Sequence, residues 1–128
     1  MSFRFQMNRG LIVVSAELIG PTGNAIVRLA LDTGATTTLL NAGILLSIGY
    51  DPAISLKRIQ VTTGSGVEFV PQIAIRSLTT LGQTATDFEV LSHTLPPSAP
   101  VDGLLGLDFF REKKLSIDFR TGEIKVEI

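Results

Sequence analysis

Leu29-Ala30-Leu31-Asp32-Thr33-Gly34-Ala35-Thr36-Thr37-Thr38-Leu39-Leu40 sets a carboxylate where an apolar strand stops and a turn of small residues begins. Just before it, Val27, Leu29 and Leu31 alternate with Ile26, Arg28, Ala30 and Asp32, the period of a strand with one face buried. Gly34 allows another backbone to come close. By itself the triplet Asp32-Thr33-Gly34 also reads as an ordinary turn, its carboxylate capping a backbone amide. The rest of the chain decides between the two.

A period of two recurs on both sides. Thr86, Phe88 and Val90 alternate with Asp87 and Glu89. Three hairpins are expected. One turns at Gly20-Pro21-Thr22-Gly23-Asn24, between Ile12–Ile19 and Ala25–Asp32. A second turns at Thr62-Thr63-Gly64-Ser65-Gly66, between Ile59–Val61 and Val67–Ile75. The third turns at Arg120-Thr121-Gly122-Glu123, after Ile117 and Phe119 and before Ile124, Val126 and Ile128. Helical pattern is brief. Asn41 can cap Ala42 to Ile48, with Gly49 closing the helix and Pro52 barring its return. Asp108 to Lys114 suits two further turns, the acid at the positive end and Lys113 and Lys114, solvated, at the negative end. Leu95 to Pro100, with three prolines, is a loop. The expected class is all-β, mostly antiparallel, with one or two short helices.

Composition narrows the chemistry. The 128 residues suit one domain, and 45% hydrophobic against 18% charged is a globular balance. Eleven basic and twelve acidic residues leave a net charge of −1, without the basic excess that a nucleic-acid surface needs. With no cysteine there can be no disulfide, thiolate metal site or cysteine nucleophile. A single histidine excludes a zinc site built from several imidazoles, and neither a metal nor a cofactor is expected. No apolar segment of signal-peptide type follows Met1–Arg9, and Leu11–Val14 is too short to span a bilayer. The expectation is a soluble chain, with the cytoplasm favoured.

A second segment gives the Asp32 turn its meaning. Pro100-Val101-Asp102-Gly103-Leu104-Leu105-Gly106-Leu107-Asp108-Phe109-Phe110 places two leucines and a glycine before a short helix. In order along the chain stand Asp32-Thr33-Gly34-Ala35, the hairpin Gly64-Ser65-Gly66, and Leu104-Leu105-Gly106. The set resembles the retropepsin-like aspartic proteases, in particular their bacterial single-domain members. The resemblance covers roughly residues 10–128 and leaves 1–9 as an N-terminal segment, flexible or an interface strand. It implies the acid-protease fold, a closed β-barrel with a flap hairpin. It also implies that Asp32 is the catalytic carboxylate, in a loop with Thr33, Gly34 and Ala35. Thr33 would brace the two halves of the site, and Gly34 would offer backbone to the substrate. Gly64, Ser65 and Gly66 would be the flap tip that meets substrate, and Leu104, Leu105 and Gly106 the packing strand beside the catalytic loop. Retroviral members usually carry an acid after Asp-Thr-Gly-Ala and an arginine after the later glycine. Thr36 and Leu107 stand at those positions, so the ion pair is replaced and not broken.

The chemistry that the resemblance implies needs two carboxylates close enough to share a proton. One acts as general base on a water and the other polarises the scissile carbonyl. The chain holds one Asp-Thr-Gly, so the second carboxylate is expected from another copy in a twofold homodimer acting on a peptide or protein. The alternative is a non-catalytic module of the same fold that dimerises or captures peptides. Other residues carry less. Ser92 and His93 are adjacent in a strand and face opposite ways, so His93 reads as solvated or locally bonded. Asp102 reads as a turn residue, and Phe109 and Phe110 as core. Gly64-Ser65-Gly66 lacks the Gly-Lys-Ser/Thr of a phosphate loop.

Overall fold

Two strands of alternating burial start the barrel. In the computed structural model, which describes residues 1–128 with the side chain of Thr63 excepted, β2 (Val13–Gly20) and β3 (Gly23–Leu31) pair antiparallel around Pro21-Thr22. Val14, Ala16 and Leu18 face the core with Val27 and Leu29, while Ser15, Ile26 and Arg28 face out. The first strand, β1 (Ser2–Arg4), belongs to another sheet. After β3 come β4 (Leu39–Asn41), the helix α1 (Ala42–Ser47), β5 (Arg58–Thr63), the long β6 (Gly66–Thr80) and β7 (Gln83–His93). The chain ends with β8 (Gly103–Leu105), β9 (Lys114–Asp118) and β10 (Glu123–Glu127).

The pairings β2-β3-β8-β4-β7-β6 and the additional β2–β6 pairing close six strands into a barrel. β2 meets β6 from Ala16↔Thr80 to Ile19↔Ser77. At this seam the buried hydroxyl of Thr80 donates to Ser15 O at 2.7 Å, so no polar group is orphaned there. β5 pairs with β6 alone and forms the flap hairpin, turning at Gly64-Ser65 with Thr63↔Gly66 as the last pair. Gly66 has φ +132°, which suits glycine. The expected closed all-β barrel with a protruding hairpin is the fold observed, but two of its pairings, β3–β8 and β4–β7, are parallel.

α1 is set by local chemistry. Asn41 Oδ1 accepts from Gly43 N, Tyr50 N closes on Leu45 O, and Gly49 takes φ +105°. The second expected helix needs correction. Residues 107–110 form only a 3-10 turn, Glu112 turns the chain at φ +63°, and Lys114 already begins β9. Asp108 does not cap a helix because its carboxylate is held by Thr38. Nor is Lys113 a solvated helix end: its ammonium donates to Phe109 O at 3.2 Å and sits 5.4 Å over the Phe109 ring.

β1, β10 and β9 form a three-stranded sheet in which Ser2–Arg4 pairs with Glu123–Lys125 of the same chain. Ile124 and Val126 bury their side chains in the barrel core, where Phe109 packs edge-on to both Phe88 and Phe110. Among the described residues no helix is long and apolar enough to cross a membrane. Phe109 is 1% exposed and Phe119 is 69% exposed. Phe109→Ala should therefore cost about 3–5 kcal/mol in urea unfolding. Phe119→Ala should cost no more than about 1 kcal/mol, mostly its edge contact with Phe5. Equal losses would contradict this assignment of the core.

Candidate active site

Asp32 is the first residue past β3, and a strand from far along the chain positions it. β8 runs parallel to β3, with Leu31 beside Leu105, and antiparallel to β4, with Leu40 beside Gly103. The loop 32–38 joins β3 to β4 and so must pass over the end of β8. Asp32 N donates to Leu105 O at 2.9 Å, and Leu107 N donates to Ala35 O at 2.8 Å. The loop is thus bonded to β8 and its continuation on both sides. The structure brings Asp32–Ala35 and Leu104–Gly106 together, while Gly64, Ser65 and Gly66 sit at the end of their own hairpin.

Close approach explains three glycines. A Cβ on Gly103 would lie 2.1 Å from Leu39 O, and one on Gly106 would lie 2.8 Å from Ala35 O. Both clashes are with backbone, which cannot swing away. A Cβ on Gly34 would stand 3.1 Å from Asp32 Oδ1, where Gly34 N instead donates at 2.9 Å. Asp32 is half-buried, and among the described residues Oδ2 has no hydrogen-bond partner. Its carboxylate therefore has one oxygen fixed by its own loop and one left for something outside the chain.

The loop's far end is clamped by a pair that the sequence reading did not single out as site residues. Thr38 is fully buried. Its Oγ1 donates to Asp108 Oδ1 at 2.7 Å, its N donates to Asp108 Oδ2 at 3.0 Å, and its Oγ1 accepts from Gly106 N at 3.1 Å. Asp102 acts in the same way at the opposite end of β8: Oδ2 accepts from Arg28 N at 2.8 Å, and its O accepts from Asn41 N at 2.9 Å. It ties β3 and β4 to the start of β8.

The sequence family described as gag-polyprotein putative aspartyl protease matches residues 22–112, a span that holds the Asp32 loop, the flap and Leu104–Gly106. The chain belongs to this family of retropepsin-like aspartyl proteases. No curated protein gives a sequence match. Among solved structures, a retropepsin-like aspartic protease from Rickettsia conorii superposes with a TM-score of 0.72 over 99% of this chain and 91% of that one. At 17% identity that likeness shows the fold.

In this retropepsin-like chain Thr36 is exposed and Leu107 is 41% exposed. Among the described residues no ion pair of the retroviral kind braces the loop, and the Thr38–Asp108 clamp and the bonds to β8 remain. The signal for the clamp was present but unspecific. Thr38 ends a run of three threonines, and Asp108 stands where a helix cap would also fit. Open concavities of about 560 and 700 Å³ lie beside the flap and on the small sheet, and Asp32 lines neither. Among the described residues no group of three or more potential ligands could hold a metal ion.

Asp108→Ala should leave two buried donors of Thr38 unpaired and cost about 1–3 kcal/mol in denaturant unfolding. Thr38→Ser keeps the hydroxyl and should cost clearly less than Thr38→Val. If Asp108→Ala is neutral, Thr38 is not clamped by this carboxylate.

Proposed function

We propose that this protein is an aspartic endopeptidase whose catalytic dyad is two copies of Asp32, one from each chain of a homodimer. The observation that carries the reading is the state of Asp32 in one chain. It follows the end of a core strand in the family's motif, with Oδ1 bonded within its own loop and Oδ2 unengaged among the described residues. A second carboxylate brought to that oxygen across a twofold axis would share one proton with it, since two like charges in hydrogen-bond reach cannot both ionise.

From that state the chemistry follows without a covalent intermediate. The ionised member takes a proton from a water as it attacks the scissile carbonyl. The protonated member donates to the carbonyl oxygen and, after proton exchange, the leaving nitrogen is protonated as the bond breaks. Gly34 offers backbone for an extended peptide, and Gly64, Ser65 and Gly66 close over it as the flap tip. Thr33, exposed in one chain, would meet its counterpart across the axis and brace the two loops. Leu107 and Ala35 give the floor beside Asp32 an apolar character, which favours apolar side chains near the scissile bond.

Wild type and Asp32→Asn, incubated with a diverse peptide library from about pH 4 to 7, test the reading directly. Wild type should cleave and be blocked by a statine-type inhibitor, and Asp32→Asn should lose about 10²–10⁴-fold or more while remaining folded. Equal cleavage by the two, or none by either at any pH, would overturn it. Sedimentation of the active samples should show a dimer; an active monomer would sink the shared dyad.

A further inference from the structure

The flap leaves the barrel at Pro71, and the backbone shows why. Gln72 N donates to Lys57 O at 2.8 Å, and Gln72 O accepts from Ser55 Oγ at 3.0 Å, so residue 72 turns its polar groups toward the β5 side. Residue 71 must then turn toward β7, where proline has no N–H to give. The β6–β7 ladder ends at Gln72↔Leu91. From Pro71 to Gly66 only β5 accompanies β6. An unsupported two-stranded ribbon is marginal in water, so a single tie beyond the ladder's end can decide where it rests.

His93 supplies such a tie. Extending the ladder by two residues would place it opposite Val70, on the face that also carries Glu68. Its Nε2 lies 3.4 Å from Glu68 Oε2, and its Nδ1 lies 3.0 Å from Thr94 O. A carbonyl oxygen only accepts, so the Thr94 contact is a hydrogen bond when Nδ1 carries a proton. A carboxylate oxygen also only accepts, so the Glu68 contact is one when Nε2 carries a proton. Both contacts hold together with an ionised Glu68 only when the ring is an imidazolium. With a single proton the ring can serve only one of the two oxygens and turns a lone pair toward the other. Arg58 on β5 is the other charged side chain lining the groove around this pair, and Ala42, Pro52, Ala53 and Ser92 bring nothing that titrates. On the body side Lys57 is paired with Glu89 at 2.8 Å.

We propose that His93 is a positioning residue for the flap: as an imidazolium it bonds Glu68 and the Thr94 carbonyl at once and holds the hairpin to the barrel, and on losing a proton it keeps only one of the two contacts, which loosens the hairpin. The inference deepens the peptidase reading and rests on it for its purpose, the control by pH of access to Asp32. Histidine is the side chain that ordinarily changes charge in the mildly acidic to neutral range, so contacts that need an imidazolium are favoured on the acidic side of it. The side chains are 41% and 52% exposed, so the effect is a bias on the flap and not a lock.

Backbone amide exchange of residues 58–70 in the full chain, at about pH 5.5 and 7.5 and corrected for intrinsic rates, reads the flap without reference to activity. In wild type the opening constant should rise about two- to five-fold at the higher pH. Glu68→Gln should open like high-pH wild type at both values. His93→Gln, whose amide can donate to Glu68 without titrating, should show no change with pH. A pH-independent wild type, or a Glu68→Gln variant that keeps the wild-type response, would overturn the proposal. Peptide cleavage by the same samples separates the two readings. Asp32-dependent cleavage with a pH-flat flap removes the tie alone, and a pH-responsive flap on a protein that cleaves nothing removes the peptidase alone.

Discussion

A strand passes beneath the loop that carries Asp32, and most of the site follows from that crossing. β8 lies between β3 and β4, so the loop joining those two strands has to arch over it. The arch is held by backbone bonds from Asp32 and to Ala35, and by the two oxygens of Asp108 on Thr38. It is possible only because Gly103 and Gly106 carry no side chain where the backbones meet. The backbone of that loop is held by hydrogen bonds to a strand far away in sequence, and the Asp32 carboxylate by Gly34 N within the loop.

That rigidity gives the half-satisfied Asp32 its significance. A mobile acid with a free oxygen would simply be solvated. An acid fixed at the end of a core strand, with one oxygen held by Gly34 and the other unengaged among the described residues, is oriented toward a position that its own chain leaves open. The family's chemistry calls for a second carboxylate there, and this sequence has one Asp-Thr-Gly. The hairpin of β5 and β6 is the complementary element: beyond Pro71 it leaves the β6–β7 ladder, while the Asp32 loop stays bonded to β8.

What could be read from the sequence was local. Asn41 and Gly49 announce a short helix because cap and terminator act within a few residues. Gly64-Ser65-Gly66 marks a hairpin because a two-residue turn needs little else. Asp32-Thr33-Gly34 and Leu104-Leu105-Gly106 were legible as a set, through their order along the chain. The misreading of Asp108–Lys114 as a helix has a non-local cause: the residue that claims Asp108 is Thr38, 70 positions away. The parallel pairings of β3 with β8 and β4 with β7 escaped for the same reason, since a period of two reports a strand but not its neighbour. The terminal strands turn out to pair with each other in one chain, which apolar ends alone could not reveal.

Whether the active site is shared between chains is tested most directly by mixing. Wild-type and Asp32→Asn chains would be unfolded together, refolded at fixed total concentration, and assayed against a cleaved peptide. If each site needs Asp32 from both chains, activity falls as the square of the wild-type fraction, to about one quarter in an equal mixture. Activity that falls only in proportion, to about one half, would mean that each chain carries a complete site and would contradict the account.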